Sequence, residues 1–162
     1  MKPFLLILIT LCLTGCFDST SLNTGLEGKP MPSFDCLLPD STTHFNTSTI
    51  PEGKPIVLFY FVPSCPFCKA QMEDIIAQIK ALHDIQFYIL TAAPHHEAMA
   101  FFVRYKVFKY PNLTAVEDYS HFFLKYFDAP GVPLLFVYDK KKQLKQVFCG
   151  KTPVEIIKKA AF

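Results

Sequence analysis

Ser64-Cys65-Pro66-Phe67-Cys68 lies where an apolar run, Ile56 to Val62 (IVLFYFV), gives way to a segment of helical periodicity. The run is apolar at both alternating sets of positions, as in a central strand covered on both sides. After the motif, Cys68, Met72, Ile75, Ile76, Ile79 and Leu82 recur at helical spacing, with Lys69, Glu73, Gln78 and Lys80 on other faces. Pro66 suits the first helical turn, where a missing N–H leaves no bond unmade. Two thiols three positions apart at a helix start are able to close on each other, and the positive end of the helix favours negative charge on sulfur. This is the working part of a dithiol–disulfide exchange site. Zinc would need a second ligand pair at similar spacing, and the sequence offers none, so no metal is assigned.

Outward from the motif, strands and helices alternate. Ile85 to Thr91 reads as the next strand, His95 to Tyr105 as an amphipathic helix, Leu113 to Val116 as a short strand and Tyr119 to Phe127 as a helix. Gly131-Val132-Pro133 leads into a strand over Leu134 to Tyr138. A charged turn from Asp139 to Gln143, a returning strand from Leu144 to Phe148 and a helix from Pro153 to Phe162 complete the chain. Upstream, Met31 to Leu38 reads as a strand, and Pro39 to Ile50 as a turn and a short polar edge strand. The pattern describes one α/β domain with helices on both faces of the sheet.

The N-terminus reads as an export signal. Lys2 supplies the positive charge and Phe4 to Leu13 an apolar run too short to span a bilayer. Leu13-Thr14-Gly15-Cys16 is similar to the bacterial lipobox, an aliphatic residue and two small ones before the cysteine that receives lipid. The division is therefore a signal peptide over residues 1–15, a lipidated Cys16 with a flexible polar tether over 16–29, and the domain over 30–162. Several acyl chains on Cys16 would anchor the domain at a membrane, facing the periplasm or the cell exterior. A net charge of +2 on 162 residues argues against nucleic acid and against a polybasic membrane contact.

Export leaves Cys36, Cys65, Cys68 and Cys149 for the domain, in a compartment where disulfides persist. Cys36 and Cys149 fall in its first and last strands. They are either a second, structural disulfide or two buried free thiols acting as small hydrophobes. The histidines at 95 and 96 face different ways at a helix start and read as solvent-exposed; His44, His83 and His121 are isolated. Phe101, Phe102, Phe122, Phe123, Tyr126 and Phe127 read as core, some lining the groove beside the thiols.

With these parts in place the chain resembles the thioredoxin superfamily, most closely the membrane-tethered TlpA/ResA type of thiol–disulfide oxidoreductase, over residues 29–162. The resemblance rests on Gly53-Lys54-Pro55 running into the apolar strand, on Cys65-Pro66-Phe67-Cys68-Lys69, and on Gly131-Val132-Pro133-Leu134. It implies a thioredoxin-like α/β fold: a central mixed β-sheet with helices on both faces and an N-terminal strand extension. It also implies that Cys65 attacks and Cys68 resolves. Pro133 would be cis, placing Val132 beside the thiols, where Pro66 and Phe67 also meet substrate. No cofactor is implied. The partners would be disulfide or dithiol proteins and a membrane-bound thiol protein that donates or accepts electrons.

The chain departs from the family in three places. It has no Trp before the motif, Phe59 stands at the position of thioredoxin's buried Asp, and Gln71 stands where many relatives carry Glu. The reading favoured is a reductase, with a disulfide-donating oxidant or a Cu(I)-binding chaperone on the same fold as alternatives. A peroxiredoxin is disfavoured, because Leu58 and Val62 occupy the positions of its Pro and Thr/Ser.

Overall fold

The computed structural model describes residues 20–128 and 130–162. The proposed signal peptide and Cys16 lie outside these. Eight strands form one mixed sheet: β1 (Thr20–Leu22), β2 (Asp35–Leu37), β3 (His44–Asn46), β4 (Ile56–Tyr60), β5 (Gln86–Thr91), β6 (Leu113–Glu117), β7 (Leu134–Tyr138) and β8 (Leu144–Cys149). Their spatial order is β1-β8-β7-β4-β5-β6-β2-β3. The centre, β4-β5-β6, is parallel, and β7, β8 and β1 add to it antiparallel on one side. The helices are α1 (Pro66–Ala77), α2 (His95–Arg104), α3 (Phe122–Phe127) and α4 (Val154–Ala161).

Strand alternation sorts the apolar residues into two cores. Val57 and Phe59 of β4, Phe87 and Ile89 of β5, and Leu135 and Val137 of β7 meet α1, α2 and α4. Ile56, Leu58 and Tyr60, with Leu134, Phe136 and Tyr138, meet α3 and the N-terminal strands on the other face. Every residue of β4 is buried, which is why its sequence is apolar at every position. Each large side chain so buried contributes roughly 1.5–3 kcal/mol.

Three local expectations change. First, the helix after the motif ends at Ala77, and Ile79–Leu82 forms a short 3-10 turn. Gln78 caps the helix, its N–H on Asp74 O (3.2 Å), and Ala81 N–H turns to Gln78 O (2.9 Å), an i→i+3 bond; buried Asn112 then donates from Nδ2 to the carbonyls of Leu82 (3.0 Å) and Ile85 (3.2 Å) and closes the turn. Second, α3 begins at Phe122 rather than Tyr119. The buried carboxylate of Asp118 accepts the N–H groups of Phe122 (2.9 Å) and Phe123 (2.8 Å), so the helix starts where that acceptor stands.

Third, the tether shortens. Thr20–Leu22 pairs antiparallel with β8, Gly28 N–H bonds Leu144 O (2.7 Å), and Leu22 and Leu26 pack against the second core. Residues 20–29 therefore belong to the domain. The physical reason is that β8 would otherwise present an unpaired edge, and backbone groups of any polar residue are able to satisfy it.

Candidate active site

The site assembles at the carboxyl end of β4. Chain leaving the strand turns at Pro63 and Ser64, Cys65 N–H bonding Val62 O (3.0 Å), and enters α1 with Cys65 as its N-cap. Cys65 Sγ accepts the N–H of Cys68 at 3.4 Å, so the two cysteines share one helical turn. Pro66 takes the first helical position, as its missing N–H allows, and Phe67 stands 44% exposed on the rim beside it.

The two thiols differ in surroundings. Cys65 is half-buried, whereas Cys68 is wholly enclosed with Met72, Ile75 and Phe59 in the first core. Burial pushes the Cys68 thiol well above the ordinary range, and the neighbouring Cys65 sulfur adds to this. Phe59, at the position of thioredoxin's buried Asp, offers no proton acceptor there.

Facing the motif is the loop before β7. The Val132–Pro133 bond is cis, as the resemblance implied, and Pro133 is buried. The Cys65 thiol points at Val132 O, with a sulfur–oxygen distance of 3.9 Å. Gly150, at a φ of +90° that disfavours any side chain, turns the chain after β8 so that its N–H bonds Pro133 O at 2.9 Å. The loop is thus tied to β8 while its Val132 carbonyl faces sulfur.

Gln71 lies fully buried one turn beyond Cys68 and is spent on structure. Its Oε1 accepts Thr152 N–H (2.6 Å) and its Nε2 donates to Thr152 O (3.0 Å), fastening α1 to the loop before α4. Lys151 adds a 2.7 Å ion pair to Asp74. This amide lock went unseen in the sequence reading, because its partners are 81 residues apart and Thr152 carries no motif. His95 and His96 are both exposed, as expected, and His95 is also engaged: its Nδ1 lies 2.8 Å from the Glu117 carboxylate and 2.9 Å from Ser41 Oγ.

The structural-disulfide reading of Cys36 and Cys149 is corrected. Cys36 is on β2 and Cys149 on β8, five strand spacings apart, or about 24 Å at ~4.8 Å each. A disulfide needs Cα atoms within about 7 Å. Both are free thiols, as are Cys65 and Cys68 in this structure. Cys36 is fully buried, and burial together with Asp118 and Asp35 pushes its thiol up to about 12. Cys149, half-buried, packs beside Val132 and the second core. Since the thiolate is the reactive form, a raised thiol is protected twice, by access and by protonation. Native reduced protein treated with iodoacetamide near neutral pH should alkylate first at Cys65, more slowly at half-buried Cys149, whose thiol burial also raises, and leave Cys36 and Cys68 untouched until denaturant is added. Peptide mass spectrometry reads the pattern, and native alkylation of Cys36 would contradict its placement.

Comparison with known proteins bears on the family and the fold. The Redoxin family model matches residues 26–161. A 57-residue stretch is 37% identical to the thiol:disulfide interchange protein DsbE of Yersinia pestis; it spans 35% of this chain and 30% of that relative's length. Among solved structures, a secreted Mycobacterium tuberculosis disulfide oxidoreductase superposes with a TM-score of 0.64 at 20% identity, over 78% of this chain and 93% of that one. A thio-disulfide isomerase from Thermus thermophilus gives 0.63 at 23% identity, over 83% and 93%. These likenesses concern the fold.

Proposed function

Because the chain belongs to the Redoxin family of the thioredoxin superfamily, we propose that it is an extracytoplasmic thiol–disulfide oxidoreductase that reduces disulfides in protein substrates. The observation that carries the reading is the unequal pair at the start of α1: a half-buried Cys65 facing Val132 O, backed by an enclosed Cys68.

Cys65 thiolate attacks one sulfur of the partner's disulfide. That S–S bond breaks, the departing sulfur takes up a proton, and Cys65 is left in a mixed disulfide. Cys68 then gives up its proton and attacks Cys65 Sγ, which breaks the mixed disulfide. The partner leaves with two thiols, and the protein holds a Cys65–Cys68 disulfide; two electrons and two protons have moved. Burial keeps Cys68 protonated until Cys65 is occupied, so it resolves rather than attacks. An extended substrate chain beside the sulfur would pair with the Val132 backbone and lie along Pro133, Pro66 and Phe67.

We favour the reductase direction on the contacts that the two sulfurs make. A strong oxidant owes its potential to a stabilised reduced form. Here Cys65 Sγ receives one long N–H contact from Cys68, and Cys68 is held as a thiol. A lipid-modified Cys16 would hold the enzyme at a membrane outside the cytoplasm, where a membrane thiol protein re-reduces it; no helix among the described residues is long and apolar enough to cross a membrane. Equilibration with glutathione, with trapped thiols read by mass spectrometry, should give a potential near thioredoxin's ~−270 mV. A value near ~−120 mV would make the protein a disulfide donor and overturn the reductase assignment.

A further inference from the structure

Beside the thiols runs a groove of about 430 Å³ between α1 and α2. One wall is Pro63, Ser64 and Lys69, the residues that bracket the cysteine motif; the other is Ala100, Phe101 and Arg104 of α2. The Phe101 ring is 3% exposed and lies on Phe61 at 4.1 Å between centroids, so its surface is fixed. Lys69 sits one helical turn above Cys65, its N–H on Cys65 O at 3.2 Å.

Arg104 is the single arginine among the 16 cationic residues of the chain. Its guanidinium stands 5.7 Å from the Tyr105 ring, whose hydroxyl donates to Glu73 at 3.2 Å. Among the described residues, no carboxylate lies within 4.0 Å of the charged groups of Lys69 or Arg104. Glu97 lines the same groove, but its nearest cationic partner is His96, at 4.0 Å. The lining thus carries two cations to one carboxylate over an apolar floor, with the Glu73 carboxylate held by the Tyr105 hydroxyl beyond the lining.

We propose that this groove is a specificity site for the flank of the substrate disulfide, taking an apolar side chain over Pro63 and Ala100, which the buried Phe101 ring backs, and an acidic side chain between Lys69 and Arg104. The proposal rests on the disulfide-exchange reading and narrows its substrates to segments in which an apolar and an acidic residue adjoin the cysteine. A planar guanidinium recognises carboxylate through paired hydrogen bonds that a lysine does not reproduce. The volume, near the lower end for ligand pockets, suits one or two side chains.

The test uses fully reduced protein in single turnovers against short peptides whose cysteine is a mixed disulfide with mercaptoethanol, flanked by Leu-Asp or by Leu-Lys. The Leu-Asp peptide should react about five- to tenfold faster at low ionic strength, with the gap narrowing at high salt. Arg104→Glu should invert the order, and Lys69→Glu should shrink the ratio; because each ratio is taken within one protein, loss of overall activity does not disturb it. Neutral hydroxyethyl disulfide is run in parallel. If wild type reacts with it but treats both peptides alike, or if Arg104→Glu leaves the ratio unchanged, the groove assignment falls by itself. If wild type reacts with no disulfide, the exchange reading falls and takes the groove with it.

Discussion

Cys65→Ser is expected to bring disulfide exchange down to the uncatalysed background, while Cys68→Ser makes the first attack and then stops. The two variants separate the roles because the surroundings of the two sulfurs separate them. Cys65 is the half-buried sulfur facing Val132 O, and no other thiol occupies that position. A serine there keeps the N-cap oxygen but loses the nucleophile, since a hydroxyl is far harder to ionise than a thiol. With Cys65 present and Cys68 replaced, the mixed disulfide has no internal thiol to resolve it and should accumulate toward one partner per protein. Intact-mass measurement after mixing reduced protein with a disulfide peptide reads both results. Substantial turnover by Cys65→Ser, with the partner attached to Cys149, would move the active thiol to the far side of the Val132 loop and end the reading.

The largest stability effect should come from Phe123→Ala. Phe123 is fully buried at the centre of the second core, its ring parallel to Tyr60 at 4.7 Å, edge-on to Phe136 at 4.9 Å and 4.7 Å from Phe127. Truncation removes the transfer energy of the ring and leaves a cavity that β4 and β7 are too rigid to fill, a loss of about 3–5 kcal/mol. Against the ~5–15 kcal/mol of a whole domain, this takes a large share. Denaturant unfolding should show a lower midpoint at an unchanged slope. Phe162→Ala, at a residue 69% exposed, should shift the midpoint little. Equal effects at the two positions would mean that α3 does not close the second core.

Much of the fold is legible in the chain because the relevant signals are local. The five wholly buried residues of β4 are a continuous apolar run, and the helix that follows announces itself through spacing and through Pro66 at its first position. The cysteine motif is legible for the same reason: its two thiols are neighbours in sequence and in space.

What escaped the sequence was contact between distant segments. The backbone of residues 20–22 completes the sheet edge at β8 although Leu22 is its single apolar side chain, so composition suggested a tether where there is a strand. Asp118 moves the start of α3 by accepting backbone N–H groups from outside the helix.

By itself, then, the sequence determined the alternation of strands and helices and the pair of cysteines at a helix start, because periodicity, turn chemistry and helix polarity act over a few residues. The tertiary structure alone decided that Cys36 and Cys149 lie too far apart to bond, that Gln71 serves as a structural lock with Thr152, and that Lys69 and Arg104 share a groove beside the thiols. Each of these depends on the order of strands in the sheet and on which faces the helices cover. Those follow from the whole set of apolar surfaces buried together, and no single stretch of sequence carries them.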